Sequence, residues 1–149
     1  MSTSISQSTG LMISLAIVDS GPLIAAVNRS DPAHRVSAEI LRSAEFYLVI
    51  PALCVAEAAY IIERDAGTQF EAMFLEGLAT LDVRLPEPED WPRIASLVRR
   101  YANFPLGGTD ASIVALAERL NTDTIITLDR RHFASIQPAH CESFRLLPA

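Results

Sequence analysis

Two short apolar runs that each end in an aspartate decide the fold of this chain: Leu15-Ala16-Ile17-Val18 precedes Asp19, and Thr124-Ile125-Ile126-Thr127-Leu128 precedes Asp129. Runs of four or five apolar and β-branched residues are typical of strands that are buried on both faces of a parallel sheet. Ligands of such sheets bind at the carboxyl ends of the strands. The two aspartates are therefore predicted to meet in one crevice.

Two further acidic residues stand at informative positions in predicted helices. Glu57 lies in a helix that begins near Pro51, and the residues three and four positions from it are apolar or aromatic. A carboxylate on an apolar face needs a partner, a shifted pKa or a metal ion, because burial of an isolated charge is costly. Asp110 lies in the first turn of a helix that glycines open, with Thr109 as the expected cap.

Strands and helices alternate along the chain. Strands are predicted at residues 14–18, 46–50, 81–85, 124–128 and 143–147, and helices at residues 20–27, 32–44, 51–64, 68–79, 91–101 and through Asp110. This alternation predicts an α/β fold, a three-layer α/β/α sandwich with a mostly parallel sheet. Residues 12–149 are expected to form a single domain, and the Ser- and Thr-rich residues 1–11 a disordered extension.

Composition excludes several classes of protein. The net charge is -6, which argues against a protein that coats nucleic acid through a general positive field. All 12 basic residues are arginine, so the chain lacks the lysine of phosphate loops and of Schiff-base enzymes. Cys54 and Cys141 form no metal-binding spacing and are expected to be reduced, which favours a cytoplasmic protein. No stretch is apolar enough to span a membrane.

The four acids, Asp19, Glu57, Asp110 and Asp129, are too far apart in sequence to form one local metal loop, so the fold must assemble the site. Carboxylates without thiolate or clustered histidine select hard cations such as Mg²⁺ or Mn²⁺, which often act on phosphodiesters. The three histidines are scattered, so a histidine-rich site is not expected. Each acid also has a structural explanation, as a helix cap, a favourable charge in a first turn, a turn residue or an ion-pair partner.

Neighbouring polar side chains are further candidates for the site. The hydroxyls of Ser20, Thr109 and Thr127 lie beside the acids in sequence and are candidates to orient water, although caps and strand hydroxyls explain them equally well. Arginines at positions 99, 100, 130 and 131, together with His132, are candidates to contact substrate phosphates. Solvated charge near helix ends is the alternative explanation for this second group.

The order and context of the acids resemble those of the PIN-domain ribonucleases, in particular the VapC-type toxins of bacterial toxin-antitoxin systems. The matching segments are residues 17–25, 55–57, 108–113 and 126–133, and the likeness runs from about residue 13 to residue 148. Each motif alone is weak, but four in the right order within one small α/β domain are specific.

The resemblance implies an Mg²⁺- or Mn²⁺-dependent endoribonuclease with an RNA substrate. By the same resemblance, Asp19 and Asp110 are expected to contact the metal directly, while Glu57 and Asp129 complete the acidic pocket. It also implies a homodimer and a small cognate antitoxin whose tail covers the site. The family often carries Thr-Ser after the first aspartate, whereas this chain has Ser20 followed by Gly21, so one hydroxyl is lost.

The sequence leaves two other functions open. The first is a catalytically silent module that binds a protein or RNA partner and in which the acids are structural. The second is a phosphatase of the haloacid-dehalogenase type, which requires a second aspartate where Gly21 stands and a lysine that the chain lacks. Apolar residues around Phe70, Met73, Phe74 and Leu78, with Tyr60 and Ile61 nearby, predict either core or a groove for an amphipathic helix.

Overall fold

The sheet at the centre of the molecule is parallel apart from one short strand. A computed structural model describes residues 4–6 and 12–149. The strands are β1 (Ser4–Ser6), β2 (Met12–Val18), β3 (Phe46–Pro51), β4 (Asp82–Arg84), β5 (Thr124–Ile126) and β6 (Arg145–Leu147). They are ordered β4-β3-β2-β5-β6 with parallel neighbours throughout, and β1 pairs antiparallel with the beginning of β2.

Helices cover both faces of the sheet. They are α1 (Ser20–Val27), α2 (His34–Leu41), α3 (Ala52–Ala66), α4 (Thr68–Gly77), α5 (Asp90–Arg100), α6 (Gly108–Arg119) and α7 (Arg130–Ala134), and a 3-10 turn follows α4 at Leu78–Thr80. None of these helices is long and apolar enough to cross a membrane.

Alternate residues of the central strands pack on opposite faces. Ile17 belongs to a core cluster with α5 and α6, whereas Ala16 and Val18 belong to a second cluster with α1, α3 and α4. In β5, Ile125 and Ile126 divide between the same two clusters. Because buried strands need apolar side chains on both faces, this packing explains the uninterrupted apolar runs of the sequence. The predicted three-layer α/β/α sandwich is confirmed.

The chain order reverses at the centre of the sheet, and this reversal positions the site. Strand β2 has β3 on one side and β5 on the other, and the backbone N–H of Asp19 donates to the carbonyl of Ile126 at 2.9 Å. Helix α1 therefore leaves β2 beside the end of β5. In open α/β sheets, such a switch point opens a crevice outside the carboxyl ends of the strands.

The structure differs from the sequence analysis at several boundaries. Helix α1 has the predicted bounds, but β5 ends at Ile126 because Asp129 turns the chain into α7, a helix that was not predicted. Ser4–Ser6 lie within the extension that was expected to be disordered, and they pair with β2 as strand β1. The rest of the expected extension, residues 1–3 and 7–11, lies outside the described residues.

Candidate active site

A cavity of about 510 Å³ opens at the carboxyl edge of the sheet, and all four predicted acids line it. They come from separate elements: Asp19 follows β2, Glu57 lies in α3, Asp110 lies in α6 and Asp129 precedes α7. The remaining wall consists of small or apolar residues and hydroxyls, namely Ser20, Gly21, Ile24, Ile61, Gly107, Gly108, Thr109 and Leu128. None of the lining residues is basic, so the cavity concentrates negative charge.

Asp19 is the most deeply buried of the four acids, with 5% of its surface exposed. As the N-cap of α1 it accepts a hydrogen bond from the backbone N–H of Ser20 at 2.7 Å, and its other oxygen accepts one from Thr127 Oγ1 at 2.7 Å. Burial raises the pKa of Asp19, while the hydrogen bonds from Thr127 and Ser20 oppose that rise. All of these donors are neutral, so they fix the carboxylate without compensating its charge.

Glu57 faces the cavity rather than the core. The buried stripe of α3 consists of Cys54, Ala58 and Ile62, and Glu57 lies beside this stripe as an exposed residue. The Ser20 hydroxyl donates to Glu57 Oε1 at 2.6 Å and thereby links α3 to α1. Glu57 was predicted to lie on a buried apolar face, which is wrong because the buried stripe, spaced every four residues, passes one position away from it.

Asp110 lies in the first turn of α6 and is partly buried. Burial, followed by the negative charges of Asp19 and Asp129, raises the pKa of Asp110 to about 6. The expected cap was wrong: α6 begins at Gly108 after Gly107, and Thr109 lies within the first turn, where its carbonyl accepts a hydrogen bond from Ser112. The hydroxyl-bearing Thr109 nevertheless lines the cavity.

Thr127 connects two of the acids. Its buried hydroxyl donates to Asp19 and accepts from the backbone N–H of Asp129 at 2.9 Å. One side chain thus sets the position of Asp19 at the end of β2 relative to Asp129 after β5. Of the three candidate hydroxyls, Ser20 and Thr127 contact an acid directly.

His132 enters the site through Asp129. Its backbone N–H donates to Asp129 Oδ1 at 3.3 Å, and its Nδ1 forms a hydrogen bond with Asp129 Oδ2. Ligand atoms of Asp110, Asp129 and His132 all lie within 4.8 Å of one another. From the sequence, His132 is a candidate only for contact with phosphates, because the three histidines are scattered along the chain. The signal that was overlooked is the spacing of three residues between Asp129 and His132 at the start of a helix.

Two of the four candidate arginines, Arg130 and Arg100, have other contacts in the structure. Arg130 was a candidate for phosphate binding, but its guanidinium donates to the backbone carbonyls of Leu146 and Pro148, both at 2.9 Å. It therefore holds the C-terminal segment beside α7. The guanidinium of Arg100 lies over the ring of Tyr101, 5.5 Å from its centroid.

Comparison with known proteins gives a family match and a sequence relative. The family model of the PIN domain matches residues 16–137. Ribonuclease VapC26 of Mycobacterium tuberculosis is 32% identical over 134 residues, which cover 89% of this chain and 99% of that protein.

Two solved structures share the fold at low sequence identity. The M. tuberculosis toxin VapC20, described as cleaving the sarcin-ricin loop, superposes with a TM-score of 0.75 at 14% identity and covers 87% of this chain and 99% of its own. A chain of VapBC2 from Rickettsia felis, solved bound to a promoter DNA fragment, has a TM-score of 0.67 at 15% identity, with coverages of 90% and 99%. The match of the family model over most of the chain, together with the identity to VapC26 along nearly all of both sequences, shows that this chain belongs to the PIN-domain family.

Proposed function

We propose that this chain is a metal-dependent endoribonuclease that acts as the toxin of a toxin-antitoxin pair. The observation that carries the proposal is that one cavity is lined by all four acids, Asp19, Glu57, Asp110 and Asp129. Membership of the PIN-domain family and the identity to Ribonuclease VapC26 support ribonuclease activity. RNA is the proposed substrate, and hydrolysis of its phosphodiester bonds the proposed reaction.

The donor set of the cavity fits a hard divalent cation. Carboxylate oxygens are the ligands that Mg²⁺ and Mn²⁺ prefer, and four acids converge here without a basic side chain among the lining residues. Asp19 and Asp110 would hold the cation directly, and Glu57 and Asp129 would complete the pocket. The chemistry that such a cation supplies is activation of water and neutralisation of charge on the phosphodiester.

The chain's own residues prepare the cavity for this chemistry. Thr127 and the backbone of Ser20 fix both oxygens of Asp19, so the carboxylate keeps one orientation. The Ser20 side chain holds only Oε1 of Glu57, and Oε2 has no hydrogen-bond partner among the described residues. Oε2 of Glu57 is therefore available to accept a hydrogen bond from water or from a ribose hydroxyl in the cavity.

The size of the cavity and its negative charge both affect how a substrate can bind. A cavity of about 510 Å³ lies within the usual range of small-ligand sites, which is ~300–1,000 Å³, and accommodates a nucleotide-sized group. A phosphodiester entering it meets four carboxylates, and the whole chain carries a net charge of -6. RNA binding is therefore expected to depend on the divalent cation.

An apolar groove is the proposed docking site for an antitoxin. The groove is lined by Leu23, Ala26, Val27, Leu41, Met73, Phe74, Gly77, Leu78 and Leu81. Phe74 is buried, whereas Met73 is 61% and Tyr60 65% exposed, so the predicted apolar segment is partly core and partly surface. Solved relatives include toxin-antitoxin complexes, which supports a partner of this kind.

The position of the groove connects it with the acids. Helix α1 is shared by the two: its Ile24 lines the acidic cavity, and its Leu23, Ala26 and Val27 line the groove. An amphipathic helix that binds in the groove can therefore place the end of its chain at the acids. We expect Met73→Glu to abolish co-purification with a co-expressed antitoxin, while Glu76→Gln on the same helix preserves it. Equal co-purification of the two variants would exclude the groove.

The homodimer implied by the family resemblance stays a prediction. The chain has a mass of 16.2 kDa, so light scattering distinguishes a dimer from a monomer directly. A mass equal to that of one chain at micromolar concentration would exclude a stable homodimer.

The proposed activity is tested on a pool of structured and single-stranded RNAs with antitoxin-free protein. Wild type is compared with Asp110→Asn in Mn²⁺, in Mg²⁺ and in chelator, and Asp65→Asn is the control because Asp65 pairs with Arg64 on an exposed surface away from the cavity. We expect metal-dependent cleavage by wild type and control, with a loss of at least about 100-fold in Asp110→Asn, as for removal of a group that stabilises transition-state charge. If folded wild type and Asp110→Asn bind metal equally and neither cleaves, the acids are structural and the chain is a silent binding module.

A further inference from the structure

The acidic site contains an imidazole as well as carboxylates. His132 and the acids Asp110 and Asp129 each offer a ligand atom, and these atoms lie within 4.8 Å of one another. Two ligands on opposite sides of an ion with bonds of about 2.1 Å lie about 4.2 Å apart. The three residues are therefore close enough to share one cation after only a small adjustment.

The ring of His132 is held in this position by its neighbours. The ring of Phe104 packs edge-on against it with a centroid distance of 5.1 Å, and its Nδ1 forms a hydrogen bond with Asp129 Oδ2. Capping of α7 requires only the backbone N–H of His132, which already donates to Asp129 Oδ1. The contact between the ring and the carboxylate is thus additional to capping, and it turns a nitrogen toward the acids.

We propose that His132 is a nitrogen ligand of the divalent cation, together with Asp110 and Asp129, and that it makes the site favour Mn²⁺ over Mg²⁺. This inference rests on the proposed metal-dependent function and adds a ligand that the acids alone do not provide. Mg²⁺ prefers oxygen ligands in near-ideal octahedral geometry, whereas Mn²⁺ and later transition metals bind more tightly to mixed nitrogen and oxygen sites. An imidazole therefore improves the site for Mn²⁺ more than for Mg²⁺.

The decisive measurement is pulsed electron paramagnetic resonance of the purified full-length protein with bound Mn²⁺. A directly bound imidazole nitrogen produces electron spin echo modulation from ¹⁴N, and labelling only the histidines with ¹⁵N changes its frequency without any substitution. We expect this modulation in wild type, its change on labelling, and its loss in His132→Asn. His34→Asn is the control, because His34 contacts the carbonyl of Ala25 and does not line the cavity.

Binding affinities provide the second measurement. We expect the Kd for Mn²⁺ to rise at least about tenfold in His132→Asn while the Kd for Mg²⁺ changes by less than about threefold, as for loss of one ligand contact. The His34→Asn control should leave both values unchanged. Circular dichroism verifies that each variant remains folded.

The outcomes separate this inference from the proposed function. If Mn²⁺ binds to wild type and is lost in Asp110→Asn but shows no histidine nitrogen modulation, the metal site stands and His132 is not a ligand. Modulation that persists in His132→Asn likewise overturns the assignment. Failure of wild type to bind Mn²⁺ at all overturns both the assignment and the metal-dependent nuclease.

Discussion

The clearest quantitative expectation concerns Asp110 in the metal-free protein. Its pKa of about 6 lies above the ordinary value of 3.8, because the folded state buries the carboxyl group beside Asp19 and Asp129. The folded state therefore binds this proton more tightly than the unfolded state does. By linkage, the contribution of Asp110 to stability is fully present below about pH 3.8 and is lost as the pH rises to about 6 and beyond.

The size of this effect follows from the difference between the two pKa values. At about 1.36 kcal/mol for each pH unit, the full difference corresponds to about 3 kcal/mol. Asp110 is only partly buried, so screening by water reduces the expected effect to about 1–2 kcal/mol. Asp110→Asn removes the ionisable group. In chelator, the variant should accordingly be more stable than wild type by about 1–2 kcal/mol at pH 7.5 and about equally stable near pH 4.

Urea unfolding followed by circular dichroism at both pH values measures this difference. Asp65→Asn is the control of opposite sign, because the hydrogen bond from Arg64 lowers the pKa of Asp65 and its removal should weaken the folded state at higher pH. If Asp110→Asn is no more stable than wild type at pH 7.5, or if the difference is the same at pH 4, Asp110 does not experience the burial and repulsion inferred from the structure.

Three further expectations address the neutral parts of the site and the cation. Thr127→Val should lower the free energy of unfolding by about 1–3 kcal/mol, since it leaves the buried Asp19 oxygen and the N–H of Asp129 without a partner; Thr127→Ser should restore most of the loss in the same urea titration. Gly21→Ala should raise the free energy of unfolding by about 0.5 kcal/mol, because the added methyl meets Leu128 at an ordinary 3.5 Å and favours the helix; a loss of stability would show that the contact is too tight. Mn²⁺ at 100 times its Kd should stabilise wild type by about 2.7 kcal/mol and chelator should reverse this, whereas an unchanged Tm would contradict a site specific to the folded state.

The acids at strand ends were predictable because strands that are buried on both faces of a parallel sheet appear in the sequence as uninterrupted apolar runs. Asp19 and Asp129 end the two apolar runs, and the parallel pairing of β2 with β5 brings those ends together. The fold class followed from the same alternation of apolar runs and helical segments. A local apolar run thus predicts a contact between distant parts of the chain, because each buried strand must lie next to another strand.

The errors occurred where single contacts outweigh periodicity. Glu57 was expected to face the core, but on α3 the residue that packs in the core, Ala58, is the next one along the chain, and Glu57 lines the cavity. Helix α7 spans only five residues, too few for a repeating apolar pattern, and it owes its start to Asp129 as cap. The contact of His132 with Asp129 was not predicted for the same reason, because it is local and does not depend on a cluster of histidines in the sequence.

The hydrogen bonds around the acids explain why the metal-free protein should be less stable than the protein with a bound divalent cation. The donors that hold Asp19 and Glu57 are hydroxyls and a backbone N–H, and no arginine is among the described residues that line the cavity. An arginine would neutralise the cluster and stabilise the empty fold, but it would also occupy the place where a cation must bind. Neutral donors fix the geometry of the acids and leave their mutual repulsion in place. The binding of a divalent cation then relieves that repulsion, so a substitution that stabilises the metal-free protein, such as Asp110→Asn, is expected to weaken metal binding.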